Sequence, residues 1–173
     1  MSEWETDLTT HTGFRFHVRP VRSEDGPALE DFFNRVTPED LRFRFLGTVK
    51  TVDQQRLAGM INVDHQQTES FVAYEQEGSP VIAAAMLACD ASMKTAEVAV
   101  SIRPEFKNRG ISWELLRHLT RFAEAKGIAK LQSLEDRSNV SAISLEKEMG
   151  FTSKSYGGEP SVVLLEKNLE RSS

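Results

Sequence analysis

Residues 98–123 change hydrophobic period once, and that change limits what this chain can fold into. Val98-Ala99-Val100-Ser101-Ile102 is an apolar strand. Beyond a short loop, Ile111, Leu115, Leu116, Leu119, Phe122 and Ala123 recur at helical spacing, and Lys126-Gly127 closes the stripe as a C-cap. A buried strand that runs through a Gly-containing loop straight into an amphipathic helix calls for a sheet with a helix laid on it.

The flanking segments extend this pattern. Phe14–Arg19 alternates as a strand and Pro20 ends it or marks a sheet edge. Ser23-Glu24-Asp25-Gly26-Pro27 reads as a helix start with Ser23 as cap, followed by Leu29, Phe32, Phe33 and Val36 at helical spacing. Thr37 caps a second short helix with Pro38 at its first position and Leu41, Phe45 and Leu46 as its apolar residues; a third helix is expected over about 51–60. Runs at Glu69–Tyr74, Val81–Ala88 and Ala96–Ile102, separated by turns, predict an antiparallel meander whose middle strand is buried on both faces. Ala129–Leu134 is a strand, Ser138–Met149 a helix stopped by Gly150, and Phe151–Tyr156 and Ser161–Leu165 are strands around Gly157-Gly158-Glu159-Pro160. The expected fold is α/β (α+β): a mixed, mostly antiparallel sheet of about six to seven strands flanked by helices. Residues 1–12 read as a flexible tail, and 13–173 as one domain without repeats or linkers.

Bulk properties narrow the function. With 39% hydrophobic and 27% charged residues, the chain lies far from the disordered regime and can bury a core. A net charge of −5 gives no basic face for nucleic acid and tolerates a cationic acceptor. Cys89 is the sole cysteine, so no internal disulfide forms; it sits in an apolar run, reads as a small buried hydrophobe, and fits a cytoplasmic setting. No stretch approaches the ~18 apolar residues of a membrane span, and the acidic Met1-Ser2-Glu3-Trp4-Glu5 does not read as a signal peptide. His11, His17, His65 and His118 show no metal-ligand spacing, so no metal site is expected; His118 is placed on a helix surface. Phe32, Phe33, Phe43 and Phe45 read as core or as the wall of an acceptor groove.

The segment Ile102-Arg103-Pro104-Glu105-Phe106-Lys107-Asn108-Arg109-Gly110-Ile111-Ser112 carries the chemistry. A helix start offers unpaired N–H groups and a positive dipole end, a setting for pyrophosphate, with Lys107 and Arg109 adding charge. Neither the P-loop nor the Gly-x-Gly-x-x-Gly pattern is present. The stretch resembles the acetyl-CoA motif of the GNAT superfamily, Gln/Arg-x-x-Gly-x-Gly/Ala: Lys107 stands in the first place, Gly110 in the central one and Ser112 in the last. Asn139-Val140-Ser141-Ala142-Ile143-Ser144-Leu145-Glu146-Lys147-Glu148-Met149-Gly150-Phe151 resembles the later pattern Asn-x-x-Ala-x-x-Leu-Tyr-x-x-x-Gly-Phe. Arg19–Asp25, Thr37–Phe45 and Ala96–Val100 are similar to Pat-type protein lysine acetyltransferases.

The resemblance implies a GNAT fold with splayed central strands. Pantetheine would pair with the backbone at Val98, Val100 and Ile102, and the N–H groups of Asn108, Arg109, Gly110, Ile111 and Ser112 would hold pyrophosphate beside Lys107. It implies an acetyl-CoA-dependent N-acetyltransferase that acetylates a primary amine, a protein lysine by likeness to the Pat type; a small-amine acceptor and a non-catalytic acyl-CoA sensor are the alternatives. A homodimer is compatible with it. Amine acetylation needs a base. Glu97, which alternates with Ala99 and Ser101 on one strand face, is the residue the Pat likeness assigns. Asn139 reads as a helix cap and, by resemblance, as a pantetheine contact. The tyrosine that often serves as general acid is replaced by Glu146; Tyr156 and Ser144 are hydroxyl candidates without a supporting motif.

Overall fold

The computed structural model describes residues 3–46 and 52–169. Its strands are β1 (Thr6–Thr9), β2 (Arg15–Pro20), β3 (Thr68–Tyr74), β4 (Ala83–Cys89), β5 (Thr95–Ile102), β6 (Lys130–Asp136), β7 (Thr152–Ser155) and β8 (Val162–Asn168). Its helices are α1 (Gly26–Asn34), α2 (Pro38–Phe45), α3 (Gln54–Ile61), α4 (Ile111–Ala125) and α5 (Val140–Glu148). One sheet holds all eight strands in the order β1-β2-β3-β4-β5-β6-β8-β7, and every pairing except β5 with β6 is antiparallel.

Two apolar clusters sandwich the sheet. On one face α4 sends Ile111, Leu115, Leu119 and Phe122 against Phe16, Phe71, Leu87, Val98, Leu131 and Leu165. On the other, Leu29, Phe32 and Phe33 of α1, Leu41 of α2 and Leu57 and Met60 of α3 pack with Val72 and Tyr74. The period-two alternation of β3–β5 and the helical stripes thus meet on opposite sides of one sheet. The expected meander, the α2 cap at Thr37 and the Lys126 cap of α4 all form.

Several expectations are corrected. Thr6–Thr9, inside the segment read as a loose tail, pairs with Arg15–Val18 as β1; its single buried apolar side chain, Leu8, is too weak a pattern to read from sequence. Ser23 does not cap α1. A 3-10 turn, Ser23–Asp25, precedes that helix, and Asp25 accepts the Arg22 N–H at 2.6 Å. β4 is not buried on both faces: Ala83, Ala85 and Leu87 are buried, whereas Ala84 and Met86 are only half-buried and Ala88 is exposed. The third helix starts at Gln54, capped by Asp53; position 51 lies outside the described residues.

Asp25 ties the turn after β2 to the end of that strand. Arg19 donates to both of its carboxylate oxygens at 2.8 Å and to the Tyr74 hydroxyl at 3.1 Å. Burial opposes ionisation of Asp25, but the Arg19 guanidinium and the Arg22 N–H outweigh it and lower its pKa. A depressed carboxylate contributes stability above its unfolded-state pKa and loses it as pH falls through the folded value. Asp25→Ala leaves Arg19 buried and unpaired, so it is expected to cost about 3–5 kcal/mol in chemical denaturation. A cost below about 1 kcal/mol, the value of an exposed pair, contradicts this account.

Candidate active site

The site begins where the sheet opens. β5 and β6 pair only at Thr95–Lys130, Ala96–Leu131 and Glu97–Gln132. Past that rung β5 continues along β4 to Ile102, and β6 continues along β8 to Asp136, without pairing each other. The fork between them holds a cavity of about 470 Å³, walled by Val98–Ile102 on one side and Ser133–Glu135 on the other. That volume lies within the range of small-ligand sites.

One end of the cavity meets the loop and helix start singled out in the sequence. Lys107, Asn108, Gly110, Ile111 and Ser112 all border it. Asn108 (φ 63°) and Gly110 (φ 88°) lie in the left-handed region, which turns the chain tightly into α4. Gly110 is also constrained from outside, since a Cβ there would stand 2.8 Å from His11 Nδ1 and 3.0 Å from Thr10 Cβ. No side chain caps the first turn of α4, so its N–H groups stay available toward the cavity. These features fit a pyrophosphate.

Of the two loop cations, only the Arg109 side chain departs from the sequence expectation. Arg109 does not border the cavity; its guanidinium stacks over Phe106 at 4.9 Å and Phe14 at 5.4 Å, while its carbonyl accepts from Thr12 Oγ1. Lys107 does border it and is ion-paired with Asp40 of α2. Asn139 caps α5, accepting from the Ala142 N–H at 3.4 Å as expected, and lies on the cavity wall. Glu97 occupies the last rung before the fork. It is exposed, on the strand face of Ala99 and Ser101, and is not itself part of the cavity wall.

The far wall carries a group that sequence reasoning did not assemble. Glu146 of α5 is buried (6% exposed) and lines the cavity together with Glu135 and Ser133 of β6. Ser133 Oγ lies 2.7 Å from Glu135 Oε2 and 3.0 Å from Glu146 Oε2, and its single proton serves one carboxyl at a time. Glu146 Oε1 has no hydrogen-bond partner in the protein. Burial, and then the adjacent Glu135, push the Glu146 carboxyl far above the ordinary glutamate range, and Ser133 offsets only part of this. The fold thus favours the neutral form of Glu146. The signal was present in the periodicities: Ser133 and Glu135 share one strand face, and Glu146 lies two helical turns beyond Asn139. Ser144 is exposed, Tyr156 sits in the β7–β8 turn, and neither lines the cavity.

Arg44 of α2 also reaches the cavity, and its partners are weak: Nη2 lies 3.8 Å from Met86 Sδ, and its charge feels Glu97 and Glu135. Burial lowers its pKa against the pull of those two carboxyls. His118, expected on the surface of α4, is buried: its Nε2 meets the Trp4 carbonyl at 3.0 Å, and its ring packs edge-on to Trp4 and Phe71. Trp4, from the segment read as a tail, covers it. Among the described residues no His, Cys, Asp and Glu cluster could hold a metal, and no helix is long and apolar enough to cross a membrane.

The comparisons with known proteins agree with this geometry. The Acetyltransferase (GNAT) family profile matches residues 27–151, and the chain belongs to that family. It is 29% identical over 136 residues to an acetyltransferase of Pseudomonas aeruginosa, spanning 78% of this chain and 73% of the relative. Its fold is similar to the GNAT domain of S. lividans PAT (TM-score 0.89, 24% identity, 98% and 99% of the two chains). It is also similar to yncA, a putative acetyltransferase from Salmonella typhimurium solved with its cofactor acetyl-CoA (TM-score 0.71, 20% identity, 91% and 96%). The chain is thus an N-acetyltransferase with acetyl-CoA as co-substrate, on the expected mixed α/β fold, with eight strands rather than six or seven.

A raised carboxyl pKa carries a signed prediction. Glu146 favours the folded state fully only below its unfolded pKa of about 4.3, and that contribution is lost as pH rises toward the folded value. Glu146→Gln removes this dependence. Thermal melts are expected to show similar Tm for variant and wild type near pH 4, with the variant increasingly more stable toward pH 8. A Tm difference constant across that range would show that Glu146 is not held neutral by the fold.

Proposed function

We propose that this chain acetylates the side-chain amine of a protein lysine in the cytoplasm, with Glu97 as general base. The position of Glu97 carries the reading: it is the last paired rung of β5, at the point where the fork opens. A primary amine must lose a proton to attack, and an exposed carboxylate there can take it directly or through water. The amine nitrogen then forms the C–N bond at the thioester carbonyl, the C–S bond breaks, and CoA departs.

In this reading the backbone of Val98, Val100 and Ile102 pairs with pantetheine, and the N–H groups around Asn108–Ser112 hold the pyrophosphate. Lys107 supplies charge, Asn139 contacts the pantetheine arm, and Arg109 acts through its backbone. Three carboxylates on the cavity wall, Glu39, Asp40 and Glu135, against the two cations Arg44 and Lys107, favour a cationic acceptor. The Pat-like segments Arg19–Asp25, Thr37–Phe45 and Ala96–Val100, with the fold overlap to the PAT domain, support a protein lysine over a metabolite.

The test is CoA-thiol release from acetyl-CoA across lysine peptides, intact proteins and small amines, with Glu97→Gln alongside. Release is expected to depend on lysine-bearing acceptors and to fall about 10²-fold in the variant, with acetyl-CoA affinity kept. Undiminished turnover in the variant removes Glu97 as base, and a preference for small amines removes the lysine assignment. Tight acetyl-CoA binding without release from any acceptor identifies a non-catalytic acyl-CoA sensor.

A further inference from the structure

We propose that Glu146 is the general acid of the reaction, donating its carboxyl proton to the sulfur of CoA as the C–S bond breaks, with Ser133 and Glu135 as the residues that position it and return its proton. This rests on the acetyl-transfer reading of the cavity above.

Placement is the first argument. Glu146 lies on the wall formed by β6 and α5, on the same helix as Asn139, Ala142 and Leu145, all of which border the cavity. It faces β5, the strand that ends in the cofactor loop, so a thioester held in the fork is enclosed between the two walls.

The second argument is what the carboxyl lacks. Oε2 accepts from Ser133, whereas Oε1 is buried and accepts no hydrogen bond. A buried polar atom without a partner is costly, and such atoms call for an explanation. As a neutral carboxyl on the cavity wall, Glu146 carries a proton that it can share with Glu135 or give to a group bound in the cavity. A carboxylic acid kept neutral in this way is an established means of providing a proton donor at neutral pH.

The third argument is the supply of protons. Ser133 Oγ bridges Glu146 and Glu135, and Glu135 is only half-buried, so the bridge leads from the buried acid to a residue in contact with solvent. The step balances. The amine proton leaves to Glu97 or water, the new C–N bond replaces C–S, and the thiolate takes the Glu146 proton. The resulting carboxylate, disfavoured beside Glu135, is then reprotonated through Ser133 and Glu135. The other charged groups on the cavity wall are Arg44 from α2, which attracts Glu135, Asp40 and Lys107, paired with each other, and Glu39.

The experiment compares wild type, Glu146→Gln and Ser133→Ala in lysine-peptide acetylation, with acetyl-CoA binding followed by calorimetry. Gln keeps the shape of Glu and has no acidic proton. Glu146→Gln is expected to lower kcat about 10²-fold or more at neutral pH, with acetyl-CoA affinity within about threefold of wild type. The alkaline limb of the wild-type kcat profile should vanish in this variant. Ser133→Ala, which removes the bridge and keeps the acid, is expected to lose less and to retain the limb. An infrared difference spectrum, wild type minus Glu146→Gln, should contain a carboxylic-acid C=O band at neutral pH. If the wild type turns over while Glu146→Gln stays within about threefold in kcat with the same limb, the assignment of Glu146 is overturned and the acetyl-transfer reading stands. Absence of the infrared band also overturns it. If the wild type shows no acceptor-dependent thiol release, the reading of the cavity fails and the assignment falls with it.

Discussion

The interaction on which the rest of the structure depends is a hydrogen-bond ladder that stops early. β5 and β6 share three rungs and then separate, while each stays paired along its other edge. A sheet interior normally satisfies its backbone groups by continuous pairing, and buried unpaired N–H and C=O groups are costly. Here the two inner edges instead face a cavity, and an extended ligand with amide groups can complete the ladders. The same divergence brings Val98–Ile102 and Ser133–Glu135 to opposite walls, points β5 at the loop before α4, and leaves Glu97 where the walls meet.

Stability and chemistry pull against each other at Glu146. An apolar side chain there would bury area without desolvating a carboxyl, and Oε1 would not be left without a partner. The two apolar clusters on either side of the sheet provide the surplus that tolerates such a residue. Arg19 and Asp25 show the contrasting case: their polar atoms are bonded to one another, to Tyr74 and to the Arg22 N–H, and the pair fixes the end of β2 to the turn before α1. Both sites bury charge-bearing side chains, and only the one on the cavity wall leaves an atom open.

The fold was largely legible because β3–β5 are apolar runs separated by clear turns and the α4 stripe from Ile111 to Ala123 has one unambiguous period. The loop could be read because Gly110 and the apolar strand before it are local features. What escaped the sequence lies in contacts between distant segments. β1 has one buried apolar residue, and its pairing with β2 is stated by no local pattern. His118 reads as a surface residue until Trp4 is seen to cover it. The Arg109 side chain reads as charge beside the loop until Phe14, distant in the chain, is found beneath its guanidinium. The Ser133–Glu135–Glu146 group needs β6 and α5 to be adjacent, which the sequence does not specify, and the raised pKa of Glu146 follows from burial and from Glu135 beside it.

Amide hydrogen exchange with and without CoA tests the central claim, that the fork completes its ladders with the co-substrate. The account predicts that CoA slows exchange in two segments together: Val98–Ile102 along the open edge of β5, and Asn108–Ser112 at the start of α4. Protection of the loop alone, with Val98–Ile102 unchanged under saturating CoA, would place the ligand outside the fork and contradict the account.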